Sequence, residues 1–121
     1  MIKIIKPDFI FEDERGSLIQ LVHEGYKQIN VVESKAGFER GNHYHRLNRE
    51  GFYVVKGSFT LEAKLDGKKE TYDFKKGDMF IIEPNVIHRF IYHEDSVLVA
   101  FYDNGVELPD GTKDIIAEAE A

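Results

Sequence analysis

GFERGNHYHRLNREGFYVVKG, residues 37–57, decides how this chain is read. Two histidines, His43 and His45, flank Tyr44, and Glu50 follows five positions after the second. On a strand, residues two apart share a face, so the two imidazoles converge while Tyr44 faces away. The apolar run Gly51 to Val55 reads as the next strand, and pairing between the two would bring the Glu50 carboxylate back beside the histidines. Further on, Pro84-Asn-Val-Ile-His88 delivers another histidine at the head of a strand. His43, His45, Glu50 and His88 together suit a borderline divalent ion such as zinc, manganese, iron, cobalt or nickel. Imidazoles with pKa values near working pH also serve as catalytic bases. A metal site is the first reading, catalytic bases the second, and an inert strand edge the third; the first two are compatible.

Outward from this stretch the period is two. In Ser58–Leu65, Phe59, Leu61, Ala63 and Leu65 alternate with Ser58, Thr60, Glu62 and Lys64, which gives one buried and one wet face. Asp66-Gly67 follows, a pair that takes the positive φ values of a type I′ turn, and Thr71–Phe74 returns as the partner strand. Further strands are expected at 2–5, 17–22, 28–34, 51–55, 79–82, 88–92 and 97–102, separated by glycine turns. Many short strands with close turns predict an all-β sandwich or barrel. Phe52, Val54, Phe90 and Tyr92 share the parity of Glu50 and His88 and should line the interior. Tyr44, Tyr53, Arg89 and Ile91 should face outward, an apolar face that suits a second subunit and predicts a homodimer. The segment after Pro109 is charged and alanine-rich, so its AEAEA end is expected to fray or form weak helix.

With 121 residues and 42% hydrophobic content, one domain spanning 1–121 is expected. A net charge of -6 supplies no field to attract nucleic acid or an anionic membrane. No cysteine is present, which leaves histidine and carboxylate as the metal ligands and fits a cytoplasmic protein. No apolar run approaches the length of a membrane span.

Gly37, His43, His45, Glu50 and Gly57 match the first cupin motif at every defined position, and Gly77, Pro84 and His88 match the second, within residues 77–92. Here Pro84 is displaced by one, Asn85 replaces a glycine, and Tyr92 stands where asparagine is usual. Asparagine tolerates positive φ, so the Asn85 departure is mild. The chain thus resembles the cupins, which implies a small antiparallel jelly-roll β-barrel with metal ligands at His43, His45, Glu50 and His88. Asp13-Glu-Arg-Gly16, Gln28-Ile-Asn30 and Arg40-Gly-Asn-His-Tyr-His45 further resemble the sugar-nucleotide cupins. Those are the dTDP-4-dehydrorhamnose 3,5-epimerases and the dTDP-4-keto-6-deoxyhexose 3,4-ketoisomerases. The similarity is strongest to the C-terminal cupin domain of capsular-polysaccharide reductase/epimerases, whose ending Leu108–Thr112 also resembles.

The resemblance implies an isomerase or epimerase acting on a nucleotide-linked 4-keto sugar, through removal of a proton α to a carbonyl. On that reading His43 matches the epimerases' catalytic histidine, and His43 with His45 the ketoisomerases' pair. Tyr53, Tyr92 and Tyr102 are candidate acids, Arg15 and Arg40 candidate donors to the diphosphate. No nicotinamide or flavin is expected. Glu50 supports the alternative of a metal-dependent cupin dioxygenase, and a non-enzymatic sugar-binding cupin is the third possibility.

Overall fold

The structure, a computed structural model, describes residues 1–118. Twelve strands occur in order: β1 (Ile2–Ile5), β2 (Phe9–Asp13), β3 (Gly16–Gln20), β4 (Gln28–Ser34), β5 (Glu39–Tyr44), β6 (Glu50–Lys56), β7 (Ser58–Leu65), β8 (Lys68–Lys75), β9 (Met79–Ile82), β10 (Ile87–Tyr92), β11 (Ser96–Tyr102) and β12 (Ile116–Ala117). They form two five-stranded sheets, ordered β1-β9-β6-β11-β4 and β12-β5-β10-β7-β8, and a separate β2-β3 ribbon. All pairings are antiparallel. The chain is all-β, as the alternation predicts, and has the antiparallel jelly-roll form that the cupin resemblance implies.

The core lies between the sheets. On β7, Phe59, Leu61 and Ala63 are buried as their spacing predicts, and Phe52, Val54, Phe90 and Tyr92 join them. Phe80 stacks on Phe74 at 4.1 Å between ring centres and on Phe52 at 5.2 Å. Between β7 and β8 the chain turns on Asp66 and Gly67, at φ 51° and 79°, as the type I′ signal requires.

Four expectations change. β5 and β6 do not pair: they belong to opposite sheets, so Glu50 meets the histidines across the core rather than along a ladder. Tyr53 does face away from the core, yet it is buried with Met79 and Phe101 beneath Ile5, Leu21, Val22 and Tyr26. Leu21 and Val22 do this because β3 ends at Gln20, short of the expected Val22. No strand is expected beyond Pro109, yet the chain folds back and β12 pairs with β5 through Ile116–Tyr44 and Ala117–His43; the fraying or weak helix expected of the AEAEA end falls mostly on residues 119–121. The last residues, 119–121, lie outside the described residues.

Candidate active and metal site

The floor of the site is set by a bulge. His88 pairs with His43, but Arg89 pairs with Gly41, so Asn42 is the extra residue in β5. Gly41 and Asn42 both take positive φ, 112° and 57°, and a Cβ on Gly41 would sit 2.4 Å from the His88 carbonyl oxygen. Only glycine permits this close approach, and the bulge re-aims His43 toward the core. Just ahead of β10, Asn85 holds φ 70°, as expected of the residue replacing a motif glycine.

Three histidines converge, with ligating nitrogens of His43, His45 and His88 within 4.8 Å of one another. Glu50, on β6, places Oε1 3.3 Å from His45 Nε2 and 3.5 Å from His88 Nε2. His45, Glu50 and His88 are all under 5% exposed, and His43 is half-buried. Each buried imidazole is oriented by a backbone carbonyl: His45 Nδ1 lies 2.5 Å from the Asp114 oxygen, and His88 Nδ1 lies 3.0 Å from the Val86 oxygen. A carbonyl only accepts, so both rings carry Nδ1–H and turn Nε2 inward.

The electrostatics follow from burial and from one carboxylate. Burial lowers the His88 pKa to about 4, against the opposing pull of Glu50. His43 is likewise lowered, by burial and then by neighbouring His45, so it is a neutral base. For His45, burial also works against the charged form, but the adjacent Glu50 carboxylate wins and raises it. Burial pushes the Glu50 carboxyl up, yet His45, His88 and Tyr102 together hold it below the usual range.

His45 Nε2 and Glu50 Oε1 are buried without hydrogen-bond partners. A lone pair and a carboxylate oxygen at that separation repel unless a proton or a cation lies between them. The histidine and carboxylate donors therefore fit a divalent ion of the borderline class.

Above this floor lies a cavity of about 180 Å³, lined by Val32, Arg40, Phe52, Phe90, Tyr92, Tyr102 and Ile115 in addition to the four candidate ligands. Pockets that enclose a whole drug-sized ligand run about 300–1,000 Å³. Only the reacting end of a large substrate fits inside. Arg40 stands at the rim, donating to Ser34 Oγ at 2.7 Å and to the Glu33 carbonyl at 2.9 Å. Tyr92 and Tyr102 are both raised chiefly by burial, so both phenols keep their protons.

Two sequence candidates fall outside this cavity. Tyr53 lies on the opposite face of β6 from Glu50, because successive strand residues alternate. Arg15 lies in the β2-β3 turn, 80% exposed and paired with Asp13 at 2.5 Å. Two contributors were missed. Asp114 orients His45, and Ile115 forms part of the wall, both from the charged segment after Pro109 to which no strand or site role was assigned.

A family model described as Cupin domain matches residues 30–102. Among solved structures, a 3,4-ketoisomerase from Helicobacter canadensis superposes with a TM-score of 0.79 at 19% identity, covering 95% of this chain and 89% of that one. A dTDP-4-dehydrorhamnose 3,5-epimerase from Sulfolobus tokodaii gives 0.71 at 26% identity, over 84% and 69%. The capsular polysaccharide assembling protein CapF from Staphylococcus aureus gives 0.68 at 23% identity, over 90% of this chain and 33% of that one. Among curated relatives, a 3-hydroxyanthranilate 3,4-dioxygenase from Burkholderia lata is 46% identical over 39 residues, 32% of this chain and 22% of that protein. The chain covers from about a fifth to about half of the length of the curated relatives it matches.

Proposed function

The chain belongs to the Cupin domain family, and from that premise we propose that it isomerises or epimerises a nucleotide-linked 4-keto sugar for surface-polysaccharide or deoxysugar synthesis. The observation that carries this reading is a neutral, half-buried imidazole, His43, beside protonated phenols in a cavity sized for one reacting group. The sugar-nucleotide enzymes that share its fold support the same substrate class.

In this proposal His43 Nε2 or Nδ1 takes the proton from the carbon α to the keto group, and returns it to a neighbouring carbon or to the opposite face. Tyr102 or Tyr92 donates to the developing enolate oxygen, which a phenol kept protonated by burial can do. Arg40, at the rim, receives the diphosphate, with the nucleotide lying outside the cavity. With His43 as the base, His45, Glu50 and His88 are the part of the four-residue cluster that would hold a divalent metal, since an imidazole has a single basic lone pair. When bound, such an ion supplies Lewis-acid polarisation of a carbonyl.

A second copy of the chain belongs to this reading. The β2-β3 ribbon joins neither sheet, and Phe9, Ile10, Phe11, Leu18 and Ile19 on it are 37–58% exposed. Isolated hairpins are marginal in water, so the ribbon needs a surface to lie on. β4 is a sheet edge bearing Ile29 and Val31, 64% and 68% exposed, and offers one on the partner of a homodimer. We place the enzyme in the cytoplasm. No helix among the described residues is long and apolar enough to cross a membrane.

A second reading is a metal-dependent dioxygenase. The convergence of three histidines beside Glu50, and the local match to dioxygenases, favour it.

The test is solvent deuterium incorporation into TDP-4-keto-6-deoxyglucose, run beside oxygen uptake on 3-hydroxyanthranilate and elemental analysis of untagged protein and its His45→Ala and Glu50→Ala variants. Deuterium exchange that His43→Ala abolishes supports the isomerase. Oxygen uptake without exchange supports the second reading, and binding without either identifies a sugar-binding module. Metal near one equivalent, lost in both variants, supports the metal site.

A further inference from the structure

A buried polar pair outside the cavity takes no part in the chemistry proposed above. Asn48 and Asp114 are 1% and 3% exposed. The Asp114 carboxylate accepts four hydrogen bonds: Oδ1 from the Arg46 backbone N–H at 2.8 Å, and Oδ2 from the N–H groups of Leu47 and Asn48 at 2.9 and 3.1 Å and from Asn48 Nδ2 at 2.8 Å. Its own N–H donates to the Val106 carbonyl at 2.8 Å. Asn48 is equally committed, with Oδ1 accepting from the N–H groups of Asn104 and Gly105, and Nδ2 also donating to the Gly105 carbonyl. All four groups facing the Asp114 oxygens are donors. An amide in its place would turn an NH₂ against other N–H groups, so the position specifies a carboxylate.

Residue 114 is thus fixed through its amide and its side chain, and the group left over is its carbonyl. That carbonyl meets His45 Nδ1. We infer that Asp114 is a positioning residue: by locking the Arg46–Asn48 loop to the returning chain, it holds His45 in the Nδ1–H tautomer with Nε2 directed at Glu50. Carbonyls and carboxylates behind a ligating imidazole fix its tautomer and orientation in metal sites generally. The same segment continues as Ile115 in the cavity wall and as β12, whose Ala117 pairs with His43. One clamp therefore braces two of the three imidazoles. His88 Nδ1 is held separately, by the carbonyl of Val86 just ahead of β10.

The inference rests on the proposed role of His45 for its consequence, but the tautomer is readable without metal or substrate. Long-range proton–nitrogen spectra of ¹⁵N-histidine-labelled, metal-free protein at alkaline pH should show His45 with a protonated Nδ1 and a bare Nε2. In Asp114→Ala the two His45 nitrogen shifts should move toward each other as the tautomers mix, while His88 keeps its pattern. Affinity for Co²⁺, followed by visible absorption, should fall roughly 10–100-fold, with cooperative unfolding retained. A folded Asp114→Ala that keeps both the His45 tautomer and the Co²⁺ affinity overturns the inference. If that variant does not fold, Asp114→Asn, which preserves shape and one acceptor, is read in the same two ways with the same criteria. His45→Ala separates the two layers. If it binds Co²⁺ as the native protein does, the ligand role of His45 fails, and the tautomer spectrum alone decides the role of Asp114.

Discussion

Acidifying the metal-free protein should expose the cost of keeping His88 neutral. Its imidazole is 2% exposed, and burial lowers its pKa from 6.5 to about 4. Above pH 6.5 neither the folded nor the unfolded chain protonates this residue, so it contributes no pH dependence. As pH falls through 6.5 the unfolded chain takes up a proton that the folded one refuses until about 4, so stability is lost across that window. The limiting loss is 2.5 units at 1.36 kcal/mol each, about 3.4 kcal/mol, of which about 2 kcal/mol is lost by pH 5. His45, whose pKa is raised, and Glu50, whose pKa is lowered, add pH dependences of their own, so His88 is isolated by difference. Urea unfolding of the native chain and of His88→Gln is followed by circular dichroism from pH 8 to 4 after chelator treatment. The native protein should lose about 2 kcal/mol more than the variant by pH 5. Parallel curves, or a native protein that gains on the variant with acid, would refute the claim that His88 is held neutral by burial.

Gly41→Ala should cost about 2–4 kcal/mol, since the new Cβ meets backbone atoms that no rotamer change can clear, and metal retention should fall with it. Urea midpoints and elemental analysis check this; a variant as stable as the parent counts against the bulge account. Phe80→Ala, at a fully buried ring stacked on Phe74 and Phe52, should cost about 3–5 kcal/mol in the same unfolding assay. A cost below about 1 kcal/mol would mean that the two sheets do not close over it. Phe11→Lys on the exposed ribbon should convert a dimer to a monomer in sedimentation velocity, with the chain still folded by circular dichroism. A native protein that already sediments as a monomer removes the homodimer.

The parts of the fold legible in the sequence were those with a local period. β7 announces its buried face through Phe59, Leu61 and Ala63, and Asp66-Gly67 announces the turn that follows. The spacing of His43, His45, Glu50 and His88 pointed to one cluster, and the structure brings the four side chains together. What stayed hidden depended on partners distant in the chain. β2 and β3 expose apolar side chains on both faces, so Phe9-Ile-Phe11 shows no alternation to read. Tyr53 has the outward parity expected of it, but outward is not exposed when Leu21, Val22 and Tyr26 cover that face. β12 is two residues long, too short to show a period, and is defined only by its pairing with the distant β5. Asp114 meets a histidine 69 positions earlier, and nothing in Gly-Thr-Lys-Asp signals it.

The opening stretch offered metal ligation and proton transfer as compatible readings, and the proposed mechanism divides them by residue. His45 and His88 each direct Nε2 toward the single Glu50 carboxylate and have their other nitrogen committed to a carbonyl. Without metal, Glu50 favours a proton on His45 Nε2, which is why that pKa rises while the deeper His88 falls. A divalent ion bound there competes with that same proton, because one lone pair serves one electrophile. His45 can therefore be a ligand or a charged partner of Glu50, but not both at once, and its affinity for metal must weaken as pH falls through its raised pKa. His43 escapes this competition in part: it is half-buried, neutral and on the cavity side. Under the proposed isomerase reading, proton transfer to substrate would fall to His43, with the His45–Glu50–His88 group as the charged floor beside it.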